Sequence, residues 1–281
     1  MIRRLALGVV SAALVACARP SCPPAKVFPG PSRPFLWTVA GRSAQARGRL
    51  FLYGTFHAAG DADIAPAART ALEASPVFVS EVGDMPPDSV RAAATLPRGQ
   101  SLQTLLGADA WFELRDALSG VIDDENLRHV RPWYAMSLLT SASSDLPSVI
   151  MDDALRKAAA AHGARLEALE TAEEQLGLVG DSVGADDLKQ ALEDRHAMRC
   201  DVSDLRAAYR AGDEAAFKNP LGSEAATQTL LVERNRRWMV KLEGYLAADG
   251  AFVAVGVGHL VGPGALPELL EARGYHVERM P

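Results

Sequence analysis

The feature that most narrows the fold is a strand-helix-strand pattern written once near each end of the chain. In the first copy, the β-formers Arg49 to Gly54 precede a helical stretch, Ala65 to Ala74, and a second apolar run, Val77-Phe78-Val79-Ser80-Glu81-Val82. In the second, Ala251-Phe252-Val253-Ala254-Val255-Gly256 leads through a helix over Ala265 to Arg273, closed by Gly274, into Tyr275 to Met280. Runs without polar alternation bury both faces, the mark of parallel strands covered by helices. The pattern therefore predicts an α/β fold: a central, mostly parallel sheet flanked by helices. A further strand is expected from Phe35, joined to the first run through a hairpin-like Gly41 to Gly48. Between the two copies, Ala-, Leu- and Glu-rich segments at 104–120, 134–144, 150–162, 185–197, 201–218 and 224–247 read as helices, interrupted by a short strand, Arg165 to Leu169. They form a large helical insertion, about 85–247, in one domain spanning 35–281. With 281 residues, 48% hydrophobic and 23% charged, the chain is long enough for one large core and too apolar for disorder. The net charge of −6 and the absence of a basic run exclude nucleic acid as an expected partner.

Each copy closes its first strand with the same four-residue form, Gly54-Thr55-Phe56-His57 and Gly256-Val257-Gly258-His259. Ligands of open α/β sheets bind beyond the carboxyl ends of strands, so both imidazoles are expected at one cleft. Glu81 stands at the end of the next strand, in an interior-like run where a carboxylate needs a partner. Two neutral imidazoles and a carboxylate form a set that holds a divalent metal, Mn, Co or Zn, with room for water and substrate. Such an ion lowers the pKa of its water and polarises a carbonyl. The same residues also admit a plainer reading, in which each histidine satisfies a turn and Glu81 pairs with an arginine. On the last long helix the apolar stripe Leu231, Trp238, Leu242, Tyr245 lacks one step, Asn235, with Arg234 beside it. This polar pair faces inward and needs partners, Glu170 or Glu81. Arg234 either stabilises developing oxyanion charge or clamps the helix to the sheet. Glu170 is a candidate general base if Glu81 is a metal ligand, and the reverse assignment is equally open.

Taken together, these residues resemble a known family. The two G-x-x-H forms with the intervening glutamate, Asp152-Asp153-Ala154-Leu155, the segment Ala168-Leu169-Glu170-Thr171-Ala172-Glu173-Glu174-Gln175-Leu176, and Glu233-Arg234-Asn235 followed by Trp238 occur in the order found in the TraB/PrgY/GumN group, which includes the Tiki metalloproteases. The resemblance covers about Phe35 to Met280. It implies a fold similar to the erythromycin-esterase and ChaN-like proteins, and a divalent-metal-dependent peptidase activity with His57, Glu81 and His259 as the metal or catalytic set; Glu170, Arg234 and Asn235 are catalytic or supporting candidates on the separate reading of the residues given above. The expected function is a metal-dependent hydrolase of the cell envelope acting on a peptide or protein. The alternative is a non-catalytic lipoprotein of the same fold that binds a peptide or a haem-like ligand.

The N-terminus carries an address. Arg3 and Arg4 precede an apolar run, Leu5 to Ala16, too short for the ~20 residues of a spanning helix. Residues 1–16 read as an export signal, and Leu14-Val15-Ala16-Cys17 resembles a lipobox, with Cys17 receiving the lipid that anchors the chain to a membrane. Ala18 in place of Asp favours the outer membrane by the same resemblance. Residues 17–34, with Pro20, Pro23, Pro24, Pro29, Pro31 and Pro34, are expected to form an extended tether. An exported compartment permits a disulfide between Cys22 and Cys200, although free or intermolecular thiols remain open.

Three lesser signals complete the reading. Gly180-Asp181-Ser182-Val183-Gly184 matches a nucleophile elbow, but the residues before it look helical rather than extended, which disfavours a serine hydrolase. His129, His162, His196 and His276 lack ligand spacing and are expected in solvent. Trp111-Phe112 and Trp133-Tyr134 are expected to anchor the insertion, the alternative being an aromatic rim over the cleft that holds a peptide or a flat ligand.

Overall fold

The structure is a computed structural model and describes residues 22–24, 26–28, 32–41, 48–218 and 224–281. The export signal and Cys17 lie outside the described residues, as does most of the hairpin-like link between the first two strands.

Six strands, β1 (Leu36–Ala40), β2 (Arg49–Thr55), β3 (Val77–Val82), β4 (Arg165–Glu170), β5 (Ala251–Gly256) and β6 (His276–Arg279), form one sheet in the order β4-β3-β5-β2-β1-β6. The pairs β4/β3, β3/β5 and β5/β2 are parallel, and β1 runs antiparallel to both β2 and β6. The sheet is thus mostly parallel with an antiparallel margin. Neither strand-helix-strand copy joins neighbours: β5 inserts between β2 and β3, so the two ends of the chain interleave. The all-apolar β5 takes the centre because both its faces are covered, and Phe252, Val253 and Val255 are fully buried. In the β2/β5 register Thr55 lies opposite Gly256, and across β5 Ser80 lies opposite Ala254. That register gathers the ends of β2, β5 and β3 side by side.

The helices are α1 (Pro66–Glu73), α2 (Pro87–Ala94), α3 (Leu102–Leu106), α4 (Ala108–Ala117), α5 (Asp124–His129), α6 (Pro132–Ser143), α7 (Met151–Ala161), α8 (Ala172–Ser182), α9 (Ala185–Ala211), α10 (Glu224–Thr227), α11 (Glu233–Ala247) and α12 (Leu266–Ala272). Proline at the first helical position starts α1, α2 and α6, where its missing N–H is an orphan in any case. Two expected helices, 185–197 and 201–218, are one continuous α9, since nothing in Ala197-Met198-Arg199-Cys200 breaks a helix; it ends at Gly212, whose φ of 74° is the left-handed cap glycine permits. Helices α2 and α5, absent from the sequence reading, are short and set by Pro87 and by Asp123, whose side chain accepts from the Asn126 N–H.

The hydrophobic interior is divided. The sheet and its covering helices share one core, while Leu102, Leu106, Trp111, Leu114, Leu139 and Leu188 form a separate core within the insertion. Trp111 anchors that second core, but its neighbour Phe112 is 54% exposed and anchors nothing. The proline-rich segment also departs from expectation. Cys22 is disulfide-bonded to Cys200 in α9, the Ser32 hydroxyl donates to the Arg210 carbonyl, and Phe28 packs on the main core. The described part of 17–34 is therefore a strap along α9 rather than a free tether.

Candidate functional site

A cavity of about 420 Å³ lies beyond the carboxyl ends of β2, β3 and β5. His57, Glu81 and His259 all line it, together with Gln175 and Arg234; Phe56, Val179, Leu205, Phe217, Leu230 and Leu231 make its apolar side. Local sequence puts each polar group there. Thr171 caps α8 directly after β4: its hydroxyl accepts from the Glu174 N–H while the Glu174 carboxylate accepts from the Thr171 N–H, a reciprocal capping box. One turn into that helix, Gln175 donates from Nε2 to Glu81 Oε2 at 3.2 Å. Glu81 Oε1 accepts the Gly256 N–H at 2.6 Å, and a Cβ at position 256 would stand only 3.2 Å from that oxygen, so glycine gives the carboxylate its access to the backbone. Between α10 and α11 the helix widens into a π turn, Gln228–Val232, immediately ahead of Arg234 and Asn235.

Arg234 is the hub. Its Nε and Nη2 donate to Glu170 at 3.2 and 2.6 Å, Nη2 donates to Glu81 Oε2 at 2.6 Å, and Nη1 donates to the Leu230 carbonyl at 2.9 Å and to His259 Nε2 at 3.1 Å. A guanidinium has five N–H donors, and these contacts use every one. The guanidinium also lies 4.6 Å from the Trp238 ring centroid, while Trp238 stacks against His259 at 4.5 Å. With no spare donor, Arg234 is placed as the clamp of the two readings rather than as a free oxyanion contact. Glu170 is buried behind it, accepting also from Trp238 Nε1, and does not line the cavity. The carboxylate facing the cavity is Glu81, so the expectation of Glu170 as general base does not fit the geometry.

Asn235 fixes the state of His259. The amide Nδ2 donates to the carbonyls of His259 and Gly264, which leaves Oδ1 to accept from His259 Nδ1 at 2.7 Å. The hydrogen-bond network thus assigns His259 as the neutral Nδ1–H tautomer, with the Nε2 lone pair towards Arg234 and, 3.5 Å away, Glu81 Oε1. Burial, the largest influence, pushes the His259 pKa down to about 4, Arg234 adding to it against the pull of Glu81. Burial works the other way on Glu81, but the charges of His259 and Arg234 with the Gly256 N–H outweigh it and hold that carboxyl down to about 2.

His57 is held differently. Its Nδ1 lies 3.5 Å from Asp152 Oδ2, and 82% of its side chain is in solvent. The Asp152 carboxylate raises the imidazole pKa above its ordinary value, while water screens the pair and leaves it little stabilising weight. Asp152 and Gln175 sit in the motifs quoted from the sequence but were given no role there. Asp152 reads locally as a common acidic residue in a helix's first turn, and only the fold brings it under His57. Ser182 is the last residue of α8, with no strand before it, which removes the nucleophile elbow. His129, His162, His196 and His276 are exposed, as expected.

A divalent ion suits part of this donor set. Two carboxylates share Arg234, and His259 has Nδ1 anchored as metal-ligating histidines do, with Nε2 accepting from Arg234 Nη1. Among the described residues, however, no three His, Cys, Asp or Glu side chains converge on one point as they stand. Glu81 and His259 are paired, and His57 reaches the same cavity from the neighbouring strand end.

The model of the TraB/PrgY/gumN family matches residues 35–279. The chain belongs to that family. The match spans the entire sheet and the insertion, so the site just described is built wholly from residues within the TraB/PrgY/gumN region. Comparison with curated proteins and with solved structures finds no match.

Proposed function

We propose that this TraB/PrgY/gumN member is a divalent-metal-dependent hydrolase of the cell envelope, acting on peptides at the cavity lined by His57, Glu81 and His259. Exported and lipid-anchored at Cys17, the chain would act at the outer membrane. The observation that carries the reading is the state of His259: a buried, neutral imidazole, fixed by Asn235 so that Nε2 stands 3.5 Å from an ionised Glu81, in a cavity that also receives a second histidine. Nε2 of His259, the Glu81 carboxylate and His57 would hold Mn, Co or Zn. Bound there, the ion supplies Lewis acidity and an activated water.

The chain's own groups prepare that chemistry. Arg234 and the Gly256 N–H keep Glu81 ionised and immobile. Asn235 keeps the proton of His259 on Nδ1, so that Nε2 carries the lone pair, which accepts from Arg234 Nη1 and would have to exchange that partner for an ion. Phe56, Phe217, Leu230 and Leu231 give the opposite side of the cavity an apolar surface that excludes water and receives an apolar part of the substrate. Gln175 fixes the outer oxygen of Glu81.

The test is direct: strip the full chain of metal, reload it separately with Mn, Co and Zn, and measure ion stoichiometry and cleavage of a mixed peptide pool by mass spectrometry. One ion per chain and gained cleavage are expected in the wild type, with both lost in a His57→Ala/His259→Ala double variant. Equal ion content in the two proteins would sink the proposal.

A further inference from the structure

Asp152 contains an unexplained atom. The residue stands in the first turn of α7, where the positive end of the helix favours a carboxylate. Its Oδ1 accepts from the Thr55 hydroxyl at 2.8 Å, yet Oδ2 is buried with no hydrogen-bond partner. Leaving a buried acceptor unmade is costly, and such groups in folded proteins call for an explanation. His57 Nδ1 stands 3.5 Å from that oxygen, just beyond hydrogen-bond distance.

The surroundings show that the backbone of this loop is fixed while the ring is not. Tyr209 donates to the Gly54 carbonyl at 2.6 Å and Arg206 to the Ala58 carbonyl at 2.7 Å, bracketing His57 from α9. Neither contact touches the imidazole, which is mostly in solvent. Something else must choose its orientation.

We infer that Asp152 is a positioning residue for His57: Thr55 fixes one carboxylate oxygen, and the other receives Nδ1–H, so that Nε2 is the nitrogen presented to the cavity. A carboxylate can only accept, so it selects the tautomer as well as the ring angle. Thr55 ends β2 two residues before His57 and is itself buried, which makes the device a closed loop from strand end to helix start and back. The consequence for activity rests on the function proposed above; the orientation of the ring does not. A carboxylate that merely pins β2 to α7 is the competing role.

The experiment separates the two. In the full chain with 15N-labelled histidine, the ring nitrogens of His57, assigned with a His57→Ala control, are compared in wild type, Asp152→Asn, Asp152→Ala and Thr55→Val, without metal. At a pH above the raised pKa of the ring, where His57 is neutral, wild type is expected to show the proton on Nδ1. In Asp152→Asn the amide can turn its NH2 to the ring, and the proton moves to Nε2; Thr55→Val gives a mixture. Mn, Co or Zn affinity is expected to fall about 10–100-fold in Asp152→Asn, as for loss of other such outer partners. A folded Asp152→Asn protein with wild-type ring shifts overturns the inference, whatever its activity. If Asp152→Ala fails to fold, Asp152→Asn and Thr55→Val decide. If the wild type binds no metal, the hydrolase proposal fails alone, because the ring shifts still report on Asp152.

Discussion

The two G-x-x-H histidines start from the same four-residue form and end in opposite environments. His259 is 3% exposed, neutral, and held by Asn235, Arg234 and the Trp238 ring, whereas His57 is 82% exposed and leans on one carboxylate. The motifs are one residue out of step across the β2/β5 pair, Thr55 facing Gly256, and in a sheet one residue of offset exchanges the faces. A different helix also covers each loop: α11 drives polar side chains into His259, while around His57 α9 hydrogen-bonds to the backbone and stacks the Tyr209 ring on Phe56, and neither contact engages the imidazole itself. Similar short motifs therefore fix where a chain turns, and the covering helix fixes what the side chain is.

The contrast can be broken hardest at Arg234. Arg234→Leu leaves Glu81 and Glu170 buried without their cation and is expected to cost about 3–5 kcal/mol in urea unfolding; Arg234→Lys, with three donors for five acceptors, recovers only part. A loss under 1 kcal/mol would mean the hub is not structural.

Acid attacks the same cluster. For His259 the unfolded chain takes up a proton near the ordinary value of 6.5 and the folded chain only near 4; for Glu81 the corresponding values are 4.5 and 2. The unfolded state binds more protons throughout, so both contributions are complete above pH 6.5 and are lost as pH falls towards 2. His57 has the opposite sign, its raised pKa favouring the folded state at low pH, but exposure makes it weak. Denaturation of a His259→Phe variant between pH 7 and 4 should show a flatter decline than wild type; an identical slope refutes the assignment.

On the other side of the comparison, Cys22→Ser opens a crosslink between residues 178 apart and is expected to cost about 2–4 kcal/mol. Because the strap lies on α9, amide exchange should rise at Gly54 to Ala58 and stay unchanged in β5. Uniform acceleration across both would show that the strap braces the whole fold. Asn235→Ala, which leaves the His259 Nδ1–H without its acceptor, should cost about 1–3 kcal/mol. The smallest effect belongs to His57→Ala, within about 0.5 kcal/mol as for other surface positions; a loss as large as that of Asn235→Ala would erase the asymmetry.

The sheet was legible because its strands are apolar runs with no competing helical reading, and β3 and β5 fall at the residues the pattern predicts. The inward turn of Arg234 and Asn235 was legible as a gap in an apolar stripe, and both expected partners, Glu81 and Glu170, proved to share one guanidinium. What escaped was long-range. The exclusion of Glu170 from the cavity depends on Arg234 lying between, and the place of Asp152 under His57 depends on α7 meeting β2, neither of which any local pattern encodes. The strap escaped because prolines forbid regular structure without forbidding contact.

The π turn at Gln228–Val232 offsets α11 from α10 by one residue, and Arg234 and Asn235 lie just beyond it. Deleting a single residue there would restore an uninterrupted ladder and give a more regular rod. Winding the same residues as an unbroken α-helix, with none deleted, would instead swing everything downstream by about 100°, carrying the guanidinium and the amide off the sheet. At this point the chain trades regularity for aim.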